Sequence, residues 1–178
     1  MGEIGSKDSL ISTLKHQHPS AYYMEMALDL ARQSALVEYS GGPFGCVIVD
    51  ATSGEVIGKG RNQVMTTFDP TCHGEIDAIR NACKYRKSHI LSGCILYTSA
   101  EPCPMCYSAI WWARIDMIYS ACSVKDTEEF GGFDDSEIVH ALKQDDISLR
   151  KLPGQFFMRD EMIDLWKQVK NDPKSPHY

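Results

Sequence analysis

No stretch of about 18 apolar residues occurs, the length at which a segment becomes a candidate membrane span, and the first 20 residues hold no apolar run of the signal-peptide kind. A soluble, cytoplasmic protein with no membrane partner is therefore expected. Basic residues do not predominate either: 18 Lys and Arg stand against 24 Asp and Glu, a formal charge of −6. Such a balance gives little counterion-release affinity for a phosphate backbone, so nucleic acid is not the expected partner. Internal repeats and low-complexity tracts are also absent, which argues against solenoids and disordered linkers. The seven cysteines do not form a disulfide framework, because the count is odd and the expected compartment is reducing. Met1, Gly2 and Ser6 fit the loose N-myristoylation pattern. Glu3 places a charge inside it and no basic cluster supplies a second anchor, so that reading is set aside.

What is present is enough for one core. The chain has 178 residues, 43% of them hydrophobic, and a domain near this length buries roughly 70% of the surface its unfolded chain exposes. Residues 1–20 read as a polar lead-in, and residues 21–178 as a single domain. Apolar residues recur at helical spacing from Ala21 to Tyr39, until Gly41, Gly42 and Pro43 forbid continuation. Phe44–Asp50 and Glu55–Arg61 read as a hairpin turning at Thr52, Ser53 and Gly54. A second helix starts near His73, after Asp69-Pro70-Thr71. Cys94–Ser99 and Asp116–Ala121 read as strands, and the helix between them, ending at Trp112, has Pro102 or Pro104 in its first turn. This alternation predicts a layered α/β sheet. The acid-rich stretch from Lys125 to Asp146 reads mainly as a solvated face, with a helix over Ser136–Leu142. Phe156, Phe157, Met158, Met162, Leu165, Trp166 and Val169 predict an amphipathic closing helix.

One constellation carries chemistry: His73-Gly74-Glu75, followed further on by Pro102-Cys103-Pro104-Met105-Cys106. Two cysteines three apart at a helix start can turn both sulfurs toward one ion, and an imidazole adds a third bond, which leaves a fourth position open. Helix N-termini favour anions, so thiolates at Cys103 and Cys106 suit Zn²⁺ binding at neutral pH. Glu75 argues against a purely structural zinc knot, which would take a fourth Cys or His. Residues two apart diverge inside a helix, so His73 and Glu75 can share a site only at the first turn. Zinc with two thiolates is a blunted acid, and a carboxylate proton carrier supplies what it lacks. Histidine, a non-ligand Glu and the C-x-x-C pair form the known zinc-deaminase signature, in which an activated water displaces a ring amine. The remaining readings are a structural zinc site and accidental spacing of buried thiols. Cys46, Cys72, Cys83, Cys94 and Cys122 read as core thiols, and Cys72, beside His73, is the one alternative sulfur ligand.

The sequence resembles the cytidine deaminase superfamily and, within it, the short bacterial-type guanine deaminases, over roughly residues 21–170. The resemblance is carried by Gly41-Gly42-Pro43-Phe44-Gly45, Asp69-Pro70-Thr71, His73-Gly74-Glu75, Tyr97-Thr98-Ser99, Glu101-Pro102-Cys103-Pro104-Met105-Cys106, Trp112-Ala113-Arg114 and Gly132-Phe133-Asp134-Asp135. It implies a three-layer α/β/α sandwich around a mixed five-stranded sheet. It also implies one Zn²⁺ per subunit carrying a water or hydroxide, a purine base as substrate, and a homodimer that can exchange its C-terminal segment, here about 153–178, as a lid. The resemblance makes Glu75 catalytic and His73, Cys103 and Cys106 the metal ligands. It sets Asn62 against the ring edges, Phe44 and Trp112 at the face or rim, Asp135 near the guanine N–H donors and Tyr178 in the lid. Simpler roles stand beside these: a helix cap for Asp135, core packing for Phe44, interface burial for Trp112 and a loose last residue for Tyr178. Gly74 and Ala100 depart from the Ala and Cys common in bacterial guanine deaminases.

The expected reaction is hydrolysis of guanine to xanthine and ammonia. The alternatives are a deaminase of cytosine, guanosine or an aminated pterin, and a zinc-stabilised interaction module without activity. A tRNA adenosine deaminase fits the acidic composition less well.

Overall fold

The computed structural model describes residues 20–175, which fall into two compact units divided between Asp135 and Ser136. Tyr178 and the polar lead-in up to residue 19 lie outside the described residues. In the first unit the elements run α1 (Ala21–Arg32), β1 (Gly45–Asp50), β2 (Val56–Arg61), α2 (Val64–Thr67), α3 (Gly74–Arg86), β3 (Cys94–Thr98), α4 (Pro104–Trp112), β4 (Met117–Ser120) and α5 (Val124–Gly131). The sheet order is β2-β1-β3-β4, with β1 antiparallel to both neighbours and β3 parallel to β4. It is a mixed α/β sheet.

Side chains alternate across β1, and both faces are covered. Cys46 and Ile48 pack with Ala78 and Ala82 of α3 and Ile110 of α4. Val47 and Val49 pack with Ala27 of α1 and with Ile95 and Tyr97 of β3. The layers are thus α1, sheet, and α3 with α4. A strand buried on both sides needs a continuous apolar run, which Cys46–Val49 supplies. The hairpin turns where expected: the Asp50 carboxylate accepts the N–H groups of Thr52 at 2.9 Å and Ser53 at 3.0 Å, and Gly54 takes a positive φ of 73°.

β2 meets α3 backbone to backbone because Gly58 and Gly60 have no side chain there. A Cβ on Gly60 would lie 2.2 Å from both the Ala78 nitrogen and the Gly74 oxygen, and one on Gly58 would lie 2.5 Å from the Ala78 oxygen. This close seat sets the height at which α3 begins, and hence where His73 and Glu75 stand.

Four expectations differ from the structure. The first helix does not run regularly to Tyr39: after Arg32 it widens into a π-helical turn, Gln33–Glu38, and ends at Tyr39 in the left-handed region, φ 53°. The sheet of the described residues has four strands rather than five. Beyond β4 the Ser123 and Asp126 side chains form a reciprocal capping box, which starts a helix in what reads from composition as a solvated acidic stretch. In the second unit, α6 (Ser136–Lys143) leads through a short 3₁₀ turn, Ile147–Leu149, to α7 (Arg159–Asn171). α7 begins only after Met158, whose left-handed backbone (φ 55°) leaves Phe156 and Phe157 outside the predicted closing helix.

Candidate active site

Two helix starts converge on one point. His73 is the extended N-cap residue of α3, and Cys103 is the extended N-cap residue of α4, with Pro104 in the first turn. The approach to His73 is fixed by the Asp69 carboxylate, which accepts Thr71 N–H at 2.8 Å and Thr71 Oγ1–H at 2.7 Å. Arg80 reaches back from α3 to Thr71 Oγ1 at 3.2 Å. The approach to Cys103 is held by Glu101, whose N–H donates to Cys122 O at 2.9 Å and whose carboxylate accepts Val124 N–H at 3.1 Å.

His73 Nδ1 lies 3.6 Å from Cys103 Sγ and 3.6 Å from Cys106 Sγ. The three donor atoms lie within 4.8 Å of one another. Zn–N bonds of about 2.0–2.1 Å and Zn–S bonds of about 2.3 Å, meeting at the tetrahedral angle, put such donors roughly 3.6 Å apart. The donor set and its spacing therefore fit zinc. Cys72 is buried but outside this group. Cys46 and Cys94 are also buried, while Cys83 and Cys122 are half-buried; all seven thiols are free of disulfides.

The electrostatics agree. Cys103 has its pKa drawn down to about 4, first by the Cys106 thiol that hydrogen-bonds to it and then by His73. Cys106 is pushed up, chiefly by the same hydrogen bond seen from its side and by burial. The metal-free pair thus holds one thiolate readily, and a divalent cation would favour the second. His73 is raised above its ordinary value, mainly by the hydrogen bond to Cys103.

Glu75 follows in the first turn of α3 and is only 4% exposed. Burial is the largest influence on its carboxyl and raises its pKa. Thr98 Oγ1 donates to Glu75 Oε1 at 3.1 Å. Gly74 lies between His73 and Glu75, and a Cβ there would stand 2.8 Å from Phe44 O.

A cavity with about 420 Å³ of space not filled by protein, part of it open to solvent, is lined by Phe44, His73, Glu75, Glu101, Cys103, Thr127, Phe133 and Asp135. Phe44 and Phe133 meet edge to face, centroids 4.9 Å apart and planes at 80°. Asp135 is raised by burial first and then by the Cys103 charge. The structure thus brings His73, Glu75, Cys103, Cys106, Phe44 and Asp135 together. Asn62 is buried next to the Gly41–Phe44 loop: its N–H donates to Phe44 O at 2.9 Å and its Oδ1 accepts Val64 N–H at 3.2 Å, but it is not among the residues lining the cavity. Trp112, 59% exposed at the end of α4, is not among them either; the Arg114 guanidinium lies over its ring, 5.7 Å from the centroid. Glu101 and Phe133, named from the sequence as motif residues without a site role, and Thr127, not named at all, also line the cavity. Phe133 sits in the Gly132–Asp135 motif, and that adjacency to Asp135 was the available signal.

The family described as the cytidine and deoxycytidylate deaminase zinc-binding region matches residues 17–122. The chain belongs to this family. A curated guanine deaminase of Bacillus subtilis is 53% identical over 102 residues, 57% of this chain and 64% of that relative, so the aligned stretch spans just under two thirds of its length. The crystal structure of guanine deaminase from the same species superposes with a TM-score of 0.83 at 37% identity, covering 90% of this chain and 99% of that one. A tRNA-specific adenosine deaminase of Aquifex aeolicus is 34% identical over 145 residues, 78% of this chain and 93% of that protein. Among the described residues no helix is long and apolar enough to cross a membrane.

Proposed function

We propose that the protein hydrolyses guanine to xanthine and ammonia, serving purine-base catabolism in the cytoplasm. The observation that carries this is the buried Glu75 carboxyl beside three zinc-spaced donors, in a cavity that Asp135 also lines. His73, Cys103 and Cys106 would hold one Zn²⁺ per subunit, which when bound supplies a Lewis acid that eases deprotonation of water. Glu75 takes one proton from the water and passes it to a ring nitrogen; it then takes the second proton, from the hydroxyl now on the ring carbon, and delivers it to the amine as the C–N bond breaks and the carbonyl forms. Asp135 can only accept hydrogen bonds while ionised, so it selects a ring that offers an N–H and an amine side by side, as guanine does and adenine does not. Phe44 and Phe133 offer an aromatic wall for a flat base. Asn62 is assigned to positioning at the ring edge, and Trp112 to the rim.

By family resemblance the deaminase domain covers residues 21–178 behind a lead-in of residues 1–20, its sheet gains a fifth strand, and it works as a homodimer. The tail from about 153 to 178, Tyr178 included, is assigned to a lid. Light scattering of the purified chain measures the dimer directly.

The test of function is ammonia release across guanine, guanosine, cytosine, cytidine, adenine and aminated pterins, with zinc measured on the same sample. Guanine is expected to give the highest kcat/KM, with about one zinc per chain. Preference for another base overturns the assignment. Similarity to tRNA-specific adenosine deaminases supports a second reading, and turnover of a tRNA adenosine with none of guanine would establish it. The net charge of −6 weighs against that outcome.

A further inference from the structure

The last residue of β3 and the residue after it face two different parts of the site. Thr98 is 1% exposed, and its Oγ1–H donates to Glu75 Oε1 at 3.1 Å. Ser99, next in the chain, is also buried; its hydroxyl donates to Pro43 O at 3.2 Å and accepts Gly45 N–H at 3.1 Å. Pro43 and Gly45 are the chain neighbours of Phe44, the aromatic wall of the cavity. A further strap, Ser99 N–H to Gly45 O at 3.0 Å, joins the same two segments through backbone alone.

From this geometry we propose that Thr98 and Ser99 are positioning residues with separate tasks in the deamination described above: Thr98 aims the Glu75 carboxylate, and Ser99 holds the Pro43–Gly45 backbone so that Phe44 meets the base. The inference rests on the functional reading for its kinetic consequences only. A carboxylate has two oxygens and a rotatable terminal torsion. A donor fixed on β3, in register with Cys46 of β1 and Ser120 of β4, takes Oε1 and sets the plane in which Oε2 can shuttle a proton. Proton transfer depends on hydrogen-bond reach, and a misplacement near 1 Å costs roughly 100-fold. The Ser99 hydroxyl instead joins two backbone groups that flank Phe44. Its loss loosens the wall against which a base stacks, without moving the proton carrier.

The two roles separate in kinetics. Thr98→Val, which keeps shape and removes the donor, is expected to lower kcat for guanine roughly 10- to 100-fold with KM and zinc content little changed. Thr98→Ser, which restores a hydroxyl, is expected to recover most of that loss. Ser99→Ala is expected to raise KM about 3- to 10-fold, the effect of a hydrogen bond or two, with kcat largely kept. Equal loss in Thr98→Ser and Thr98→Val, or a Ser99→Ala effect confined to kcat, overturns the assignment. A readout free of activity is the crystal structure of zinc-loaded Thr98→Val. A rotated Glu75 carboxylate with Phe44 unmoved supports the proposal, and an unmoved carboxylate overturns it whatever the parent enzyme does. A parent that releases no ammonia from guanine overturns the functional reading alone.

Discussion

His73 and Cys103 cap two different helices, α3 and α4, yet Nδ1 of one and Sγ of the other stand 3.6 Å apart. The partial positive charges of two helix N-termini therefore face the same small volume, which favours thiolate at the cysteines. Both residues have extended backbones, at positions where the chain has not yet committed its side chain to a helical face. That is why His73 and Glu75, two apart, can serve one site.

Glu75→Gln separates metal holding from proton transfer. The amide keeps the size of the side chain and an acceptor for Thr98, and it is not one of the three spaced donors. Zinc content and melting temperature are expected to stay near the parent's, while ammonia release from guanine falls by about 100- to 10,000-fold, the usual share of general acid–base catalysis. Metal analysis alongside a coupled ammonia assay measures both. Parent-like turnover removes Glu75 from the mechanism.

Gly60→Ala tests how the site is placed. The new Cβ would meet the Ala78 nitrogen and the Gly74 oxygen at 2.2 Å, and both are backbone atoms that no rotamer change can clear. Overpacking of this kind costs about 1–3 kcal/mol or more. The start of α3 must lift from β2, carrying His73 with it, so zinc retention under a mild chelator is expected to fall together with the denaturation midpoint. A variant with parental stability would show that β2 and α3 can separate without strain.

Much of this site could be read in the sequence because its chemistry is local. Cys103 and Cys106 are one helical turn apart, and Asp69-Pro70-Thr71 announces the helix start that lets His73 and Glu75 converge. The hairpin was legible from the Asp50–Gly54 turn for the same reason. What was hidden depends on approach through space. The edge-to-face contact of Phe133 with Phe44 joins residues 89 positions apart, and no periodicity reports it. α5 was hidden differently: its charges obscured a capping box at Ser123 and Asp126 that is local but short. The π-helical turn after Arg32 has no pattern of its own; within it Ser34 is buried, its hydroxyl donating to Asn62 O at 2.6 Å with Gly42 O a second acceptor for the same proton at 3.1 Å.

Asp50 gives the fold a pH dependence away from the active site. Its carboxylate accepts the Ser53 and Thr52 backbone N–H groups and pairs with Arg86. These interactions hold its pKa below the ordinary carboxylate value, with the Ser53 hydrogen bond the largest cause. A depressed folded pKa means that this contribution is complete above the unfolded value of about 3.9 and is lost as pH falls through the folded value. Asp50→Asn is therefore expected to melt a few degrees below the parent, with a constant gap from pH 7 to pH 5 that narrows below about pH 4. Thermal melts of both proteins across that range measure it, and a gap independent of pH would assign the loss to hydrogen-bond geometry rather than to charge.

Asp135→Asn tests base recognition. Asp135 lines the cavity, and His73 and Cys103 are close enough to influence its charge. Replacement by an amide turns one acceptor oxygen into a donor, which faces the N–H groups of guanine with the wrong polarity. Leaving such donors unpaired in a closed site costs about 1–3 kcal/mol, so kcat/KM for guanine is expected to fall roughly 5- to 150-fold while zinc content holds. Because the defect lies in recognition, turnover of a base without that N–H pair should fall less than turnover of guanine. Steady-state kinetics on guanine and adenine with the same preparation measure the ratio. A parental kcat/KM on guanine would leave Asp135 with the capping role open to any Asp placed just before a helix.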